Sequence, residues 1–263
     1  MTSLASNAGI GNAAPPIFVV GSPRSGTSLL RLILDSHPSI ACGPETHLLA
    51  RMDDAARRFA KQLDRYAFDD AYWQAQYRTF FESFKLDYAH RKGKTRWADK
   101  TPSYARHLPF ITSVFPEAQV VHVIRDVRMV TASALNRWGW RRAWDVPDRW
   151  VANVSAATSF GARMSPAQYT EIRFEDLVGN TEETLRPLFE WFGEEWDPRV
   201  LDYDQHEHDE SSRNRGIREA ARAAGGTAVD GTRATRPRRK LDPVLRAHIN
   251  QVAGPLNREL GYR

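Results

Sequence analysis

The feature that most constrains this chain is Gly21-Ser22-Pro23-Arg24-Ser25-Gly26-Thr27-Ser28, set between Ile17-Phe18-Val19-Val20 and the segment Thr27 to Ser36. The first flank is β-branched and aromatic and is bounded by Pro16 and Gly21, which predicts a buried parallel strand. In the second flank, leucines and isoleucine at 29, 30, 32, 33 and 34 form one broad apolar face, and His37-Pro38 ends it. The GxxxxGxS spacing thus joins a strand to a helix. Backbone N–H groups in such a turn converge, and the helix adds its positive end, so an oxyanion is held there.

The rest of the chain repeats the alternation. His47 to Arg65 and Asp70 to Arg91 predict two helices, the second carrying Tyr72, Trp73, Tyr77, Phe80, Phe81 and Phe84 as core packing. Pro102 to Phe115 predicts a helix, Gln119 to Ile124 a strand, and the stretch through Arg137 a helix. Trp150 to Met164 predicts a helix, Tyr169 to Phe174 a strand, Glu182 to Phe192 a helix, and Leu241 to Leu260 a closing helix. This is an α/β pattern, a parallel sheet flanked by helices. With 263 residues one domain is expected, 17–263, after a flexible tail at 1–16. Residues 209–240 are rich in Gly, Ala and Arg with few apolar anchors and predict a long mobile basic loop.

Net charge of +5 and a pI near 9.5 suit an anionic ligand but are too diffuse to require nucleic acid. One cysteine, Cys42, excludes an internal disulfide framework and reads as a small buried filler. No run approaches the ~18 apolar residues of a membrane span, and the first residues lack the charged and apolar regions of a signal peptide, so a cytoplasmic location is expected. His206 and His208, among Asp204, Glu207, Asp209 and Glu210, fit no common metal-ligand spacing and read as a solvated acidic loop.

The loop has Walker A spacing with one departure: Thr27 stands where the lysine belongs. A γ-phosphoryl clamp without that lysine is poorly equipped. The strand ending at Ile124 delivers Arg125 first and Asp126 behind it, a cation where a P-loop enzyme places its Mg²⁺-binding carboxylate. Ser133 and Arg137, four residues apart on the next helix, share a face. A cation at the place of Arg125 invites a second phosphate. The bland alternative pairs Arg125 and Arg128 with Asp126 and Glu117 on the surface.

At these residues the chain resembles a known family. PRSGTS, ADKTP and VIRDVRMVTAS are similar to the sulfotransferases that use 3′-phosphoadenosine 5′-phosphosulfate (PAPS), and RSGTSLLRLILDSHPSIACGPETH resembles their tyrosylprotein branch. The resemblance implies that Arg24, Ser25, Gly26, Thr27 and Ser28 cradle the 5′-phosphosulfate and that Arg125, Ser133 and Arg137 hold the 3′-phosphate. Phe174 matches the aromatic position beside the adenine, with Phe in place of the usual Tyr. Lys100, with Arg24, would stabilise the leaving phosphate, and Glu45 would be the general base; His47 is the alternative base. Glu45 has a bland competitor as a helix N-terminal carboxylate. Adenosine 3′,5′-bisphosphate (PAP) would be released, with no metal.

The departures lie late in the chain. Arg233, Arg236, Arg238, Arg239 and Lys240 supply charge without the Trp-containing segment of many relatives, and such a loop equally suits peripheral contact with a membrane surface or with nucleic acid. The acceptor is expected to be a hydroxyl of a small molecule, phenol, lipid or glycoside, or protein tyrosine, between walls formed by His47 to Arg91 and by Trp138 to Trp150. The alternative function is a P-loop nucleotide or small-metabolite kinase using ATP and Mg²⁺, and a third is a binding module without turnover.

Overall fold

In the computed structural model, which describes residues 14–209 and 241–262, five strands form one parallel sheet. They are β1 (Ile17–Gly21), β2 (Ile40–Cys42), β3 (Arg96–Lys100), β4 (Gln119–Ile124) and β5 (Tyr169–Arg173), in the spatial order β2-β3-β1-β4-β5. Alternation along the central strand serves two cores. Ile17 and Val19 join Leu29, Leu30 and Ile33 of α1 (Thr27–Ser36) and Phe189 of α9 (Thr181–Phe192). Phe18 and Val20 face the other way, toward Phe81 of α3 (Asp70–Arg91), Trp97, Tyr104 and Phe115. Phe18 meets Trp97 edge to face at 5.5 Å, and each such phenylalanine, fully buried, contributes roughly 1.5–3 kcal/mol.

A third core packs α5 (Val127–Trp138), α6 (Trp140–Trp144) and α7 (Val146–Gly161) against α10 (Pro243–Val252). The expected closing helix divides at Ala253-Gly254, giving α10 and α11 (Gly254–Glu259). The remaining helices are α2 (Leu48–Leu63), α4 (Leu108–Val114) and α8 (Phe174–Gly179). Phe174, read as the end of a strand, is instead the first residue of α8.

Two strands escape sequence reading. β2 has only three residues, and β3 reads RWADK, which shows neither an apolar run nor alternation. All five β3 residues are nonetheless buried, and each charge finds a partner far along the chain: Arg96 with Glu194, Asp99 with Lys85, Lys100 with Glu45. The aromatic series of α3 also departs from expectation. Phe81 is in the core and Tyr77 packs against it, but Tyr72, Phe80 and Phe84 are exposed, because the helix turns the face of Phe81, Lys85 and Ala89 to the body.

His208 is buried, not solvated. Its Nδ1 lies 2.6 Å from Asp35 Oδ2 and its Nε2 lies 2.9 Å from the Tyr203 carbonyl. Burial opposes the Asp35 carboxylate, yet His208, Lys94, the Cys42 amide and Arg31 together hold its pKa below the usual value. Cys42 is fully buried, as expected. Of the expected tail, Pro15 and Pro16 accept hydrogen bonds from Arg96 Nε at 2.8 Å and Gln119 N at 2.9 Å; residues 1–13 lie outside the described residues. The expected basic loop also lies outside them except for Asp209, which pairs with Lys92 at 2.7 Å.

Candidate active site

The C-terminal ends of all five strands deliver the candidate residues to one rim, as open α/β sheets do at a topological switch point. β1 leads into Gly21–Ser28, β2 into Gly43-Pro44-Glu45, β3 ends on Lys100, β4 is followed by Arg125, and β5 by Phe174. Register fixes their height: Val19 pairs with Lys100 and Gly21 with Val123.

The loop after β1 is shaped by two left-handed residues, Arg24 at φ 80° and Gly26 at φ 99°. Gly26 is required twice over, because a Cβ there would lie 2.0 Å from the Phe174 ring. Arg24 has a Cβ and bears its conformation as strain, which concentrates at functional sites. Thr27 and Ser28 begin α1, so their N–H groups have no intrahelical acceptor. Ser25 Oγ is buried and has no hydrogen-bond partner among the described residues. Orphan donors with a buried hydroxyl at a helix N-terminus are the chemistry that a phosphate or sulfate oxygen satisfies.

Arg24 turns across the rim and donates from Nε and Nη2 to Ser133 Oγ at 3.0 and 2.8 Å, with its guanidinium 5.9 Å from the Trp138 ring. Arg125 Nη1 donates to the Arg24 carbonyl at 3.3 Å, and its guanidinium lies 4.1 Å from the centroid of the Phe174 ring. Burial lowers the Arg125 pKa to about 10, opposed by Glu175 and Asp126, so the group remains cationic at neutral pH. Arg24, Arg125, Ser133 and Phe174 are thereby brought together. Arg137 is exposed in the last turn of α5. Arg128 takes the bland role, bound to Asp126, whereas Glu117 pairs with Arg78.

On the other side of the loop, the buried Lys100 ammonium donates to Ser28 Oγ at 3.2 Å and pairs with Glu45 Oε1. Glu45 is part-exposed, and its second oxygen lies 3.3 Å from His47 Nε2. The two candidate bases thus touch each other, and Lys100 is buried beside Glu45. Trp150, expected in the acceptor wall, is core, its Nε1 bonded to the Arg125 carbonyl at 3.0 Å. Trp140 is exposed and stacks on Trp144 at 5.1 Å, which stacks on His248 at 3.9 Å.

Sequence reasoning assigned no role to Glu175 or Tyr262. Glu175 accepts from Asp126 N at 3.3 Å and from Tyr262 OH at 3.0 Å, closing the chain's end onto the Arg125 side of the rim. The Tyr262 phenol is pushed well above its ordinary value by burial and by Glu175, so it stays a donor. Glu175 is marked only by its place next to Phe174, and its bond to Tyr262, 87 residues on, has no local signal.

The fold and rim define an α/β protein with one parallel sheet, whose strand ends gather a glycine-bearing loop, two arginines, a lysine and a carboxylate at one edge. The chain belongs to the sulfotransferase family, whose model matches residues 15–198. It is 25% identical over 217 residues to protein-tyrosine sulfotransferase A of Caenorhabditis elegans, a match covering 78% of this chain and 57% of that protein. The chain spans little more than half the length of the curated relatives it matches. Among solved structures, the sulfotransferase domain from the Synechococcus PCC 7002 olefin synthase superposes with a TM-score of 0.64 at 21% identity, over 96% of this chain and 98% of that one. Mouse sulfotransferase SULT7A1 complexed with PAP shares the fold at TM-score 0.55 and 12% identity, over 94% of this chain and 87% of that one. No helix of the described residues is long and apolar enough to cross a membrane.

Proposed function

We propose that this chain transfers a sulfuryl group from PAPS to an acceptor hydroxyl. The observation that carries the reading is the convergence, from all five strand ends, of an anion-holding loop flanked by Arg24 and Arg125 on one side and by Lys100 with Glu45 on the other.

PAPS, when bound, supplies a sulfuryl group on a phosphate that departs as part of PAP. The amides of Gly26 to Ser28, the Ser25 hydroxyl and Arg24 bind and orient its 5′ end. Arg125 and Ser133, joined by Arg137, bind the 3′-phosphate, and Phe174 seats both the loop glycine and the Arg125 guanidinium. Lys100 and Arg24 place positive charge where the departing oxygen becomes anionic, the term that dominates catalysis of this kind. Glu45 takes the acceptor's proton as its oxygen bonds to sulfur, and His47 beside it is the second candidate for that role. The similar curated proteins are named for protein tyrosine, so phenolic hydroxyls head the acceptor classes to test.

Two measurements test the reading. Calorimetry should show PAP binding more tightly than AMP, and radiolabelled PAPS should transfer sulfate to components of a cell extract of the source organism. Equal affinity for PAP and AMP, or Mg²⁺-dependent ATP turnover in place of sulfate transfer, overturns it.

A further inference from the structure

Asp99 is fully buried and accepts three side-chain hydrogen bonds: from Thr46 Oγ1 at 3.1 Å, Lys85 Nζ at 3.2 Å and Thr101 Oγ1 at 2.7 Å. It immediately precedes Lys100, and Thr46 immediately follows Glu45. We propose that Asp99 is a positioning residue that holds Glu45 and Lys100 in register with each other, with Thr46 as its link to the base loop. This rests on the sulfotransferase reading above and deepens it.

The direction of the hydrogen bonds supports the assignment. A carboxylate only accepts, so the Thr46 hydroxyl gives its proton to Asp99. Tyr104 OH, 2.9 Å from Thr46 Oγ1, must then donate to that oxygen, and it accepts in turn from Leu49 N at 3.0 Å. Burial, together with Asp99, raises the Tyr104 pKa well above its ordinary value, which keeps the phenol a donor. The relay Leu49 N–H, Tyr104, Thr46, Asp99 therefore has one polarity, and such chains reinforce themselves.

The relay also explains how the base loop keeps an unfavourable backbone. His47 sits at φ 54°, left-handed for a residue with a Cβ, and makes no side-chain cap for α2. Tyr104 OH satisfies the Leu49 amide in its place. Glu45 is thus set by a kink whose shape is determined from beneath by Asp99 and Tyr104.

Stability alone does not account for the arrangement. Lys85 and Asp99 form an ion pair with both side chains almost fully buried, and well-packed apolar residues of similar volume are often at least as stable. What apolar residues lack is an acceptor for Thr46 and Thr101, the two hydroxyls flanking the base and the lysine.

The test uses the full chain, labelled PAPS at varied concentration and the cell extract as a fixed acceptor pool. Thr46→Val keeps the side-chain shape and removes the link. It should lower maximal transfer by up to about 10²-fold, as misplacing a catalytic group does, while the KM for PAPS and the Kd for PAP stay within about twofold. Thr46→Ser should restore transfer, and Tyr104→Phe, which opens the relay without touching Asp99, should fall between. Circular dichroism melts identify folded variants; if Thr46→Val does not fold, Tyr104→Phe decides. A folded variant with wild-type transfer, or a loss seen only in PAP affinity, overturns the proposal. If Glu45→Gln transfers sulfate as well as wild type, the underlying assignment of the base fails instead, and the two failures are distinguished.

Discussion

Lys100 and Glu45, fifty-five residues apart in the chain, form an ion pair at the end of β3, and the same ammonium reaches Ser28 in the loop at 3.2 Å. One buried cation therefore links the two halves of the proposed chemistry, the anion-holding loop and the base. Removing it should damage turnover more than binding. For Lys100→Ala we expect kcat to fall about 10²- to 10³-fold, the usual cost of deleting one donor to a developing anion, with a smaller change in PAP affinity. Steady-state kinetics beside calorimetry checks this, and a loss confined to PAP binding would contradict it.

Glu45→Gln should preserve the shape of the rim and the approach to Lys100 while removing the proton acceptor. Turnover should drop by about 10² to 10⁴, with PAP affinity nearly unchanged. Unchanged turnover would pass the role to His47, whose Nε2 lies 3.3 Å away.

In the proposed reading, Arg125 is the residue that selects for the 3′-phosphate. It is buried against Phe174, so Arg125→Ala removes a desolvated charge-assisted contact and not a solvated surface charge. PAP affinity should fall by about 10- to 100-fold, equivalent to roughly 1.5–3 kcal/mol, and AMP affinity far less. Parallel losses for both nucleotides would show that the guanidinium reads something other than that phosphate.

Gly26→Ala meets two obstacles together, the left-handed φ of 99° and the Phe174 ring 2.0 Å from the new Cβ. Each costs about 1–3 kcal/mol. The expected result is a lower melting temperature and loss of PAP binding. Adding Phe174→Ala should recover part of the stability, since it relieves the clash but leaves the φ strain.

Cys42 gives the pH prediction. Burial pushes its thiol pKa from 9.0 up to about 12, with Arg31 and Lys85 opposing. The thiol should resist alkylation at pH 8 in the folded protein and react on unfolding. Its folded pKa exceeds the unfolded one, so its contribution to stability is complete below pH 9.0 and is lost as pH rises toward 12. Denaturant titrations of Cys42→Ala should show a shallower alkaline decline than wild type; an equal slope would refute the assignment.

Legibility differed by element. Strand β1, the loop and α1 were readable because their signals are contiguous: an apolar run, glycines at fixed spacing, then a helical apolar face. Ser133 came from the family resemblance, with Arg137 on the same helix face, and the structure bonds it to Arg24, 109 residues away, a contact that spacing does not show. Strand β3 and the burial of His208 were not readable. Charged side chains signal solvent unless their partners are known, and these partners lie on other elements: Lys85 for Asp99, Glu194 for Arg96, Asp35 for His208. The exposed Phe80 and Phe84 show the converse, since composition cannot say which face of a helix the body covers.

The sequence by itself determined the strand-loop-helix junction, the α/β alternation and the identity of the residues that can hold an anion, because each depends on neighbours within a turn or a strand. The tertiary structure alone decided that Glu45 meets Lys100, that Arg125 rests on Phe174, and that five strand ends share one rim. The same holds for the buried ion pairs Lys85 with Asp99 and Arg96 with Glu194, 14 and 98 positions apart, which form only because packing the sheet buries their charges together.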